Sequence, residues 1–553
     1  MFARIKKSGN HEYLQIVENY RENGKVKQNM IASLGNIDDL TEDNNIEQIM
    51  DSLEDFSEEA MVLRAAQNGE VPTTETRHIG PALLFGRLWK QIGIDQVIND
   101  LVADRKFEFD MERVLFTSVL GRLMNPGSDR NCYEWMQHQD IDGSEAIDLH
   151  HFYRAMSWLG EVTDVDPEKQ FPFSTTTVKD EVEKRLFDRR KDLFTDLSMV
   201  FVDTTSISFF GQGGETLGEH GFSKDHRPDL RQMIVGIVLD NNGTPVCSMQ
   251  LPGNTSDTTT LIPVVDKLRE RFGIGDVCVV ADRGMISQDN KKALTDAGID
   301  YLLGVRMKLI KEVKEDVLSW PGRYREVRGP RQTSKDPAPL KVKEVNKDGT
   351  RYILCLNEQE ARQEKQKRDA ILEDLEQKLA NGSDKQLVGN KGYKRYLQEP
   401  EEDGFKIDKQ KVKKEARYDG KWVLETTTDL EPEEVALKYK QLWDVEQVFD
   451  QMKNTLNTRP IYHQTDEAIR GHVFTSFLAL LLRKRLEDHL QNESVQIEWK
   501  TFKQDLDELQ EMQVEKGDTE FIVRTDTKGK VGKVLQAVGV QPPKKIRKAE
   551  SND

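Results

Sequence analysis

Three acidic residues sit where their neighbours explain a carboxylate poorly: Asp203 in Val202-Asp203-Thr204-Thr205, Asp282 after Val279-Val280-Ala281, and Glu446 in Trp443-Asp444-Val445-Glu446-Gln447. Asp203 interrupts an apolar, β-branched run. Asp282 closes another and is followed by Arg283-Gly284, so two neighbouring strands would present both carboxylates at one sheet edge. Glu446 calls for helical geometry. Tyr439, Glu446 and Lys453 are spaced seven and seven, and each such step returns to within about 20° of the same helix face. That face carries a phenol, a carboxylate and an ammonium. A packing seam accounts for Leu442 and Phe449 but not for Glu446 and Lys453, whose burial would need partners. Carboxylates gathered at one point repel, and a divalent cation is the usual remedy. Mg²⁺ suits such a site, with Mn²⁺ as its substitute, because it takes oxygen ligands, keeps waters and accepts phosphate oxygens. Two ions about 3.5–4 Å apart activate an attacking oxygen and stabilise a leaving one. This is phosphodiester chemistry.

Other candidates carry less specific signals. Lys224, Arg227 and Arg231 flank an expected strand and are placed to grip backbone phosphate or to line a solvated loop. Trp320 lies in a basic segment and reads equally as a stacking platform for an unpaired base or as a buried ring. His463 and His472 read as packing or capping residues. Ser206 and Thr204 have no histidine placed to activate them, so neither is a nucleophile.

The elements that must position these residues follow from hydrophobic period. From Leu197 the chain alternates as strand (197–210), strand (231–239), the turn Asp240-Asn241-Asn242-Gly243, strand (244–251), helix (258–272), strand (277–281), helix (287–297) and strand (301–305). This β-β-β-α-β-α-β order is that of an RNase H-like core, an α/β fold with a mixed five-stranded sheet and flanking helices. In that arrangement the first and fourth strands are neighbours. The expected organisation is a small β-hairpin region (1–35), an acidic linker (36–77), a helical domain (78–196), the first part of the core (197–305), an insertion domain (306–420), the second part of the core with the Glu446 helix (421–490), and a helical, basic tail (491–553) that is disordered after Gln541. The insertion begins basic and β-leaning and ends in a charged helix. An amphipathic helix over 432–456 carries Glu446.

Composition sets the outer bounds. The 553 residues, 37% hydrophobic and 32% charged, exclude wholesale disorder. With 80 basic against 97 acidic residues the net charge is −17, which argues mildly against a chain that binds a polyanion over its whole surface. The charge is uneven, however. Ten acids and no Lys or Arg fall between Asn36 and Leu63, whereas residues 306–351 hold thirteen basic residues against seven acidic. Lys544, Lys545, Arg547 and Lys548 cluster near the end. The run Val473–Leu482 is too short for a bilayer span of about twenty residues, and no apolar segment follows the basic N-terminus, so a cytoplasmic location without membrane partners is expected. Cys132, Cys247, Cys278 and Cys355 lack metal-binding spacing and read as reduced thiols.

These residues resemble the DDE transposases of bacterial insertion sequences, in the group typified by insertion sequence four. The resemblance rests on Asp203, Asp282 and Glu446 in this strand order, on the large insertion before the glutamate helix, and on Tyr439, Glu446 and Lys453 at the group's spacing. It extends through Gly221-Phe-Ser-Lys-Asp-His-Arg-Pro-Asp-Leu-Arg-Gln232, Gly253-Asn-Thr-Ser-Asp257, Ala281-Asp-Arg-Gly-Met285 and Arg459-Pro-Ile-Tyr-His463, which are similar to the group's long-transposase branch, and covers about residues 1–490. It implies cut-and-paste transposition. Asp203, Asp282 and Glu446 would hold two Mg²⁺ ions while water, then the freed 3′-OH, attacks phosphodiesters. Tyr439 and Lys453 would contact DNA near the cleaved phosphate. The group normally has Arg three residues after the tyrosine, where this chain has Leu442, so Arg283, Lys440 or Arg459 would supply the missing contact. The implied partners are double-stranded DNA, as terminal inverted repeats and target, and a second copy of the chain in a synaptic homodimer. Residues 78–196 are the candidate for binding the element's ends, and the protein would be associated with the bacterial nucleoid. A catalytically silent DNA-binding relative and a nuclease that cuts without joining remain as alternatives.

Overall fold

The computed structural model describes residues 2–9, 11–22, 25–41, 48–49, 62, 65, 73–169, 172–190, 198–273, 277–285, 287–329, 337–381, 390–398, 405–516 and 519–549. Most of the expected acidic linker therefore lies outside the described residues. The chain divides into two compact units: Met1–Leu83 with His138–Asp140 and Ile497–Asp553, and Leu84–Gln137 with Ile141–Gln496.

In the first unit, Phe2–Ser8, His11–Glu22 and Lys25–Asn36 form a three-stranded antiparallel sheet rather than a hairpin. The first strand is almost wholly exposed and rich in Arg and Lys. It is held by its backbone ladder to the second strand, so no apolar alternation announces it. A second sheet runs in the order Ile546–Lys548, Thr519–Arg524, Gln510–Lys516, Thr73–His78. The tail carries the expected helical structure in Trp499–Asp507 and Val531–Val538, but these helices alternate with strands of this sheet, and the stretch expected to be disordered beyond Gln541 supplies the strand Ile546–Lys548: Ile546 packs in a cluster with Val514, Phe521 and Val523, and Arg547 pairs with Glu511. The edge strand Thr73–His78 has no apolar residue, and its partner lies more than 400 positions further along the chain.

The second unit is built on a nine-stranded mixed sheet. Its strands are β1 (Met199–Ser208), β2 (Gln232–Leu239), β3 (Pro245–Pro252), β4 (Cys278–Ala281), β5 (Asp300–Gly304), β6 (Arg325–Arg328), β7 (Leu340–Lys347), β8 (Thr350–Leu356) and β9 (Lys421–Thr426), ordered β6-β7-β8-β9-β5-β4-β1-β2-β3. The five strands expected of the core are contiguous at one side. The strands of the insertion continue the same sheet, because β9 pairs antiparallel with both β5 and β8. β2 and β3 are buried at every position. Helix α1 (Asp257–Phe272) lays Leu261, Val264, Val265 and Leu268 on Val200, Val202, Ile234 and Val238, and α2 (Gln288–Asp296) adds Leu294. Each such aliphatic side chain, fully buried, stabilises the fold by about 1.5–3 kcal/mol.

The glutamate segment is a broken rod rather than one helix: α3 (Pro432–Lys440), α4 (Leu442–Asp450) and a π-turn (Gln451–Thr455). Pro432 at the first turn and Glu433-Glu434 behind it start α3 as the sequence suggests. The helical region contains Ile94–Val102, Met111–Met124, Asp129–Met136, Leu149–Gly160 and Val178–Arg190, interrupted by a short hairpin, Val162–Val165 with Thr175–Thr177. Helix α5 (Asp466–Asn492) is buried along most of its length. Among the described residues no helix is long and apolar enough to cross a membrane. All four cysteines are free and buried.

Helices α5 and Leu149–Gly160 approach so closely that two glycines are obligatory. A Cβ on Gly471 would overlap the carbonyl group of Met156, and one on Gly160 that of Glu467. Backbone cannot step aside as a side chain can. Gly471→Ala should therefore lower stability by about 1–3 kcal/mol, read as a lower urea midpoint. Gly86→Ala, whose Cβ would make an ordinary 3.7 Å contact with Phe116, should leave the midpoint unchanged or raise it.

Candidate functional site

β1 and β4 are adjacent and parallel, and Ala281 is in register with Val202. The next residue on each strand is an aspartate, so Asp203 and Asp282 leave the sheet at the same height on neighbouring strands, about 4.8 Å apart in the pairing direction. Asp203 is the first position of β1 that is not fully buried, with its side chain 20% exposed. Its Oδ1 accepts the Thr204 N–H at 2.7 Å. Burial drives the Asp203 carboxyl up to about 6, and the nearby Asp282 and Asp257 carboxylates add to this, against the opposing pull of Lys224 and the Thr204 N–H.

Asp282 is held from the other side. The Tyr439 hydroxyl donates to its Oδ1 at 3.1 Å, and burial followed by the Asp282 charge raises the phenol's pKa, keeping it a donor. Room for that ring comes from Gly304 at the end of β5, where a Cβ would overlap the Tyr439 hydroxyl. Arg306 donates to the carbonyls of Arg283 and Gly284 at 3.0 and 3.1 Å and so fixes the turn after Asp282.

A third carboxylate at this edge is one that the sequence reading did not single out. Asp257, the first residue of α1 after its Ser256 cap, accepts the Thr204 hydroxyl on Oδ1 at 2.6 Å. The Oδ2 atoms of Asp257 and Asp282 both lie within 4 Å of the position a Cβ on Gly284 would take. Its sequence context, Ser-Asp at a helix start, is the ordinary capping pattern and masks any other role.

The remaining candidates divide. Lys453, in the π-turn, donates to Asp225 Oδ1 at 2.9 Å, and Arg459 lies 2.5 Å from Asp225 Oδ2. Burial pushes the Asp225 carboxyl up, but these two cations more than offset that and hold it low. Lys224, the next residue, points its ammonium at the Asp203 and Asp257 carboxylates. Glu446 is exposed on α4, whose Val445 and Phe449 are buried, and α4 packs on β1. Its carboxylate makes no hydrogen bond or ion pair with a described residue. Arg283 is exposed, Arg227 is in solvent paired with Asp229 at 2.7 Å, and Arg231 donates to the Gly218 carbonyl at 2.7 Å. Lys440 lies 5.4 Å above the Trp422 ring. Trp320 is part-exposed in the insertion, its carbonyl accepting from Lys343 at 2.6 Å. Leu442 is buried, so the position where an arginine was expected serves packing.

For a hard divalent cation the donor set at the β1–β4 edge is suitable: Asp203, Asp282 and Asp257 supply only oxygens, and a carboxyl lifted to about 6 by burial gains by acquiring a cation. Among the described residues, the groups whose ligand atoms already converge within 4.8 Å are elsewhere: Asp129 with His463 and His472, and Asp148 with His150 and His151. Both are otherwise engaged. His472 accepts from Arg122 at 2.7 Å on Nδ1 and its Nε2 lies 3.1 Å from the Thr458 carbonyl, Asp129 pairs with His463 at 3.2 Å, and Asp148 with His151 forms a helix capping box. These are packing and capping roles.

Residues 195–482, more than half of the chain, match the family model described as a transposase DDE domain, and residues 3–67 match the N-terminal domain of the IS1634 transposase family. The chain belongs to the DDE transposase family. A putative transposase for insertion sequence element IS402 from Burkholderia cepacia is 34% identical over 76 residues, which are 13% of this chain and 36% of that relative. The match thus spans about a third of the relative's length. Solved structures of low similarity include a piggyBac transposase synaptic complex with hairpin DNA (11% identity, 77% of this chain and 79% of that one, TM-score 0.35). A Mos1 transposase paired-end complex with left transposon end is also similar (12% identity, 36% of this chain and 60% of that one, TM-score 0.14).

The raised Asp203 carboxyl has a measurable consequence. An unfolded aspartate titrates near 3.9. Between that value and about 6 the native state holds a proton that the unfolded state has lost, so metal-free stability falls as pH rises through this window, by on the order of 1–3 kcal/mol. Asp203→Asn should accordingly be more stable than the parent in EDTA at pH 7.5, with the difference vanishing near pH 4. Equal urea midpoints at pH 7.5 would refute the burial-driven shift.

Proposed function

We propose that this chain is the transposase of an insertion sequence, cutting phosphodiesters at the element's ends and joining the freed 3′-OH to target DNA. The observation that carries the reading is the pair Asp203 and Asp282, level with one another on parallel neighbouring strands within a segment that matches the DDE domain. The strand order β5-β4-β1-β2-β3 with β1 and β4 side by side supports an RNase H-like core, for which the outer strands β6–β8 are an insertion ahead of the glutamate helix.

Asp203 and Asp282 would hold Mg²⁺, or Mn²⁺ in its place, and Glu446 would complete the set from α4, the helix seated on β1. Two bound ions would activate the attacking oxygen and stabilise the leaving one. The chain's own residues do the positioning. Tyr439 occupies one oxygen of Asp282 and leaves the other to the site, while Lys453 and Arg459 fix Asp225 and with it the loop that carries Lys224. Arg283 and Lys440 are the proposed phosphate contacts beside the scissile bond, with Arg227, Arg231 and Trp320 further out. Water then attacks the first phosphodiester and the 3′-OH the second, with no covalent protein intermediate. End recognition is assigned to residues 78–196 and synapsis to a homodimer acting on nucleoid DNA.

The test uses purified full-length protein, labelled duplexes ending in the element's terminal repeats, a target plasmid and Mg²⁺. Nicking and joining are expected for the parent, with losses of at least about a thousand-fold in Asp203→Ala, Asp282→Ala and Glu446→Gln. Equal nicking by parent and variants would overturn the site. Binding of ends without cleavage would identify a silent relative, and cleavage without joined product a nuclease.

A further inference from the structure

The loop between β1 and β2 turns one cation inward. The Lys224 ammonium donates to the Thr204 carbonyl at 2.5 Å and to the Thr204 hydroxyl at 3.0 Å, and it lies 3.5 Å from Asp257 Oδ2 and 3.7 Å from Asp203 Oδ1. A carbonyl, a hydroxyl and two carboxylates are the donor set of a hard cation site, and here a tethered ammonium sits among them. The loop is fastened on both sides of this lysine. The Lys224 N–H donates to Ser206 Oγ at 3.0 Å on β1, and the neighbouring Asp225 is clamped by Lys453 and Arg459. The Thr204 hydroxyl links the parts, accepting from Lys224 and donating to Asp257.

We infer that Lys224 is a built-in counter-ion, seated by Thr204 and Asp257, that neutralises the Asp203 edge in the metal-free protein and must be displaced when a divalent cation binds. The inference rests on the proposed metal site and adds to it a competitor and a third carboxylate. Three negative charges close together in a part-buried site disfavour the fold unless compensated, and the ammonium supplies one compensating charge. A doubly charged ion entering the same edge meets that ammonium as a like charge. Lys224 therefore sets the threshold cation concentration at which the site loads. With the ammonium facing these oxygens, Lys224 is not a phosphate grip in the metal-free protein. Asp257 has two roles in this scheme: in the metal-free protein it holds Thr204 and Lys224 in place, and it faces the incoming cation as the third carboxylate.

The experiment is Mn²⁺ titration of the full-length protein without DNA, followed by the free-Mn²⁺ EPR signal, for the parent, Lys224→Met, Lys224→Arg, Asp257→Asn and Asp203→Asn. Lys224→Met should bind Mn²⁺ at least about ten-fold more tightly than the parent, and Lys224→Arg should stay within about three-fold of it. Asp257→Asn should weaken binding by about ten-fold. Unchanged or weaker binding in Lys224→Met, with its folding verified by circular dichroism, overturns the inference, since a lysine that merely braces the loop would loosen the site when removed. Asp203→Asn separates the two levels of argument. If it binds Mn²⁺ like the parent, the metal site itself is misassigned; if it loses binding while Lys224→Met gains none, only the counter-ion role fails. Duplex binding in EDTA gives an independent reading. The slope of log affinity against log salt should be the same for Lys224→Met and the parent, and a slope reduced by about one would assign Lys224 to a phosphate instead.

Discussion

The parallel pairing of β1 with β4 is the constraint on which the rest of the site depends. Hydrogen bonding fixes the register at Val202 against Ala281, and side chains alternate with a period of two, so a slip of one residue would turn one aspartate into the core and the other away from it. The apolar residues before each aspartate enforce that register. Val200, Val202, Val279 and Ala281 are all buried in one cluster against α1 and α2, and none of them tolerates solvent. The position of the acids is thus set by the hydrophobic demand of their neighbours, and the charged edge is a by-product of a well-packed sheet.

Around that edge the polar contacts are arranged in two tiers. Tyr439, Thr204 and Lys224 touch the carboxylates directly; Gly304, Asp225 and Arg306 touch no carboxylate of the edge but hold the groups that do, or the turn beside them. The broken rod α3–α4 joins both tiers, with Tyr439 on Asp282 near one end and Lys453 on Asp225 at the other. Glu446 lies between these two contacts on a helix that packs on β1. The interruption at Gln441, which keeps a right-handed helical conformation, follows Tyr439, and the π-turn Gln451–Thr455 carries Lys453.

What the sequence disclosed follows from how local the signal was. The β-branched runs around Asp203 and before Asp282, the Asp-Asn-Asn-Gly turn and the Pro-Glu-Glu helix start are short-range patterns, and the corresponding elements stand at those positions. The edge strand Phe2–Ser8 was illegible because it buries almost nothing, and Thr73–His78 because its partner Gln510–Lys516 is remote in sequence. The continuation of the core sheet into the insertion was hidden for a related reason: β9 looks the same in sequence whether it begins a new sheet or closes an old one. Asp257 was overlooked because a helix-start aspartate after serine already has a sufficient local explanation. The inward turn of Lys224, expected to grip backbone phosphate or to line a solvated loop, is not legible, since nothing in Gly-Phe-Ser-Lys-Asp-His states which way a loop lysine turns.

The chain leaves the core after β5 and comes back on β9, its immediate neighbour in the sheet. The exit and the return are therefore one strand spacing apart, roughly 5 Å, however much polypeptide lies between them. Everything from Arg325 to the long helix Glu358–Ala380 lies between that exit and that return, with β8 laddered onto the far edge of β9. Lengthening or trimming the excursion does not alter the gap that the sheet must close, and loop closure penalises extra length only weakly. The fold in this way separates the part whose dimensions are fixed by chemistry from the connections beyond the β8–β9 ladder, whose length is nearly free, so new surface can be grafted there without retuning the carboxylates.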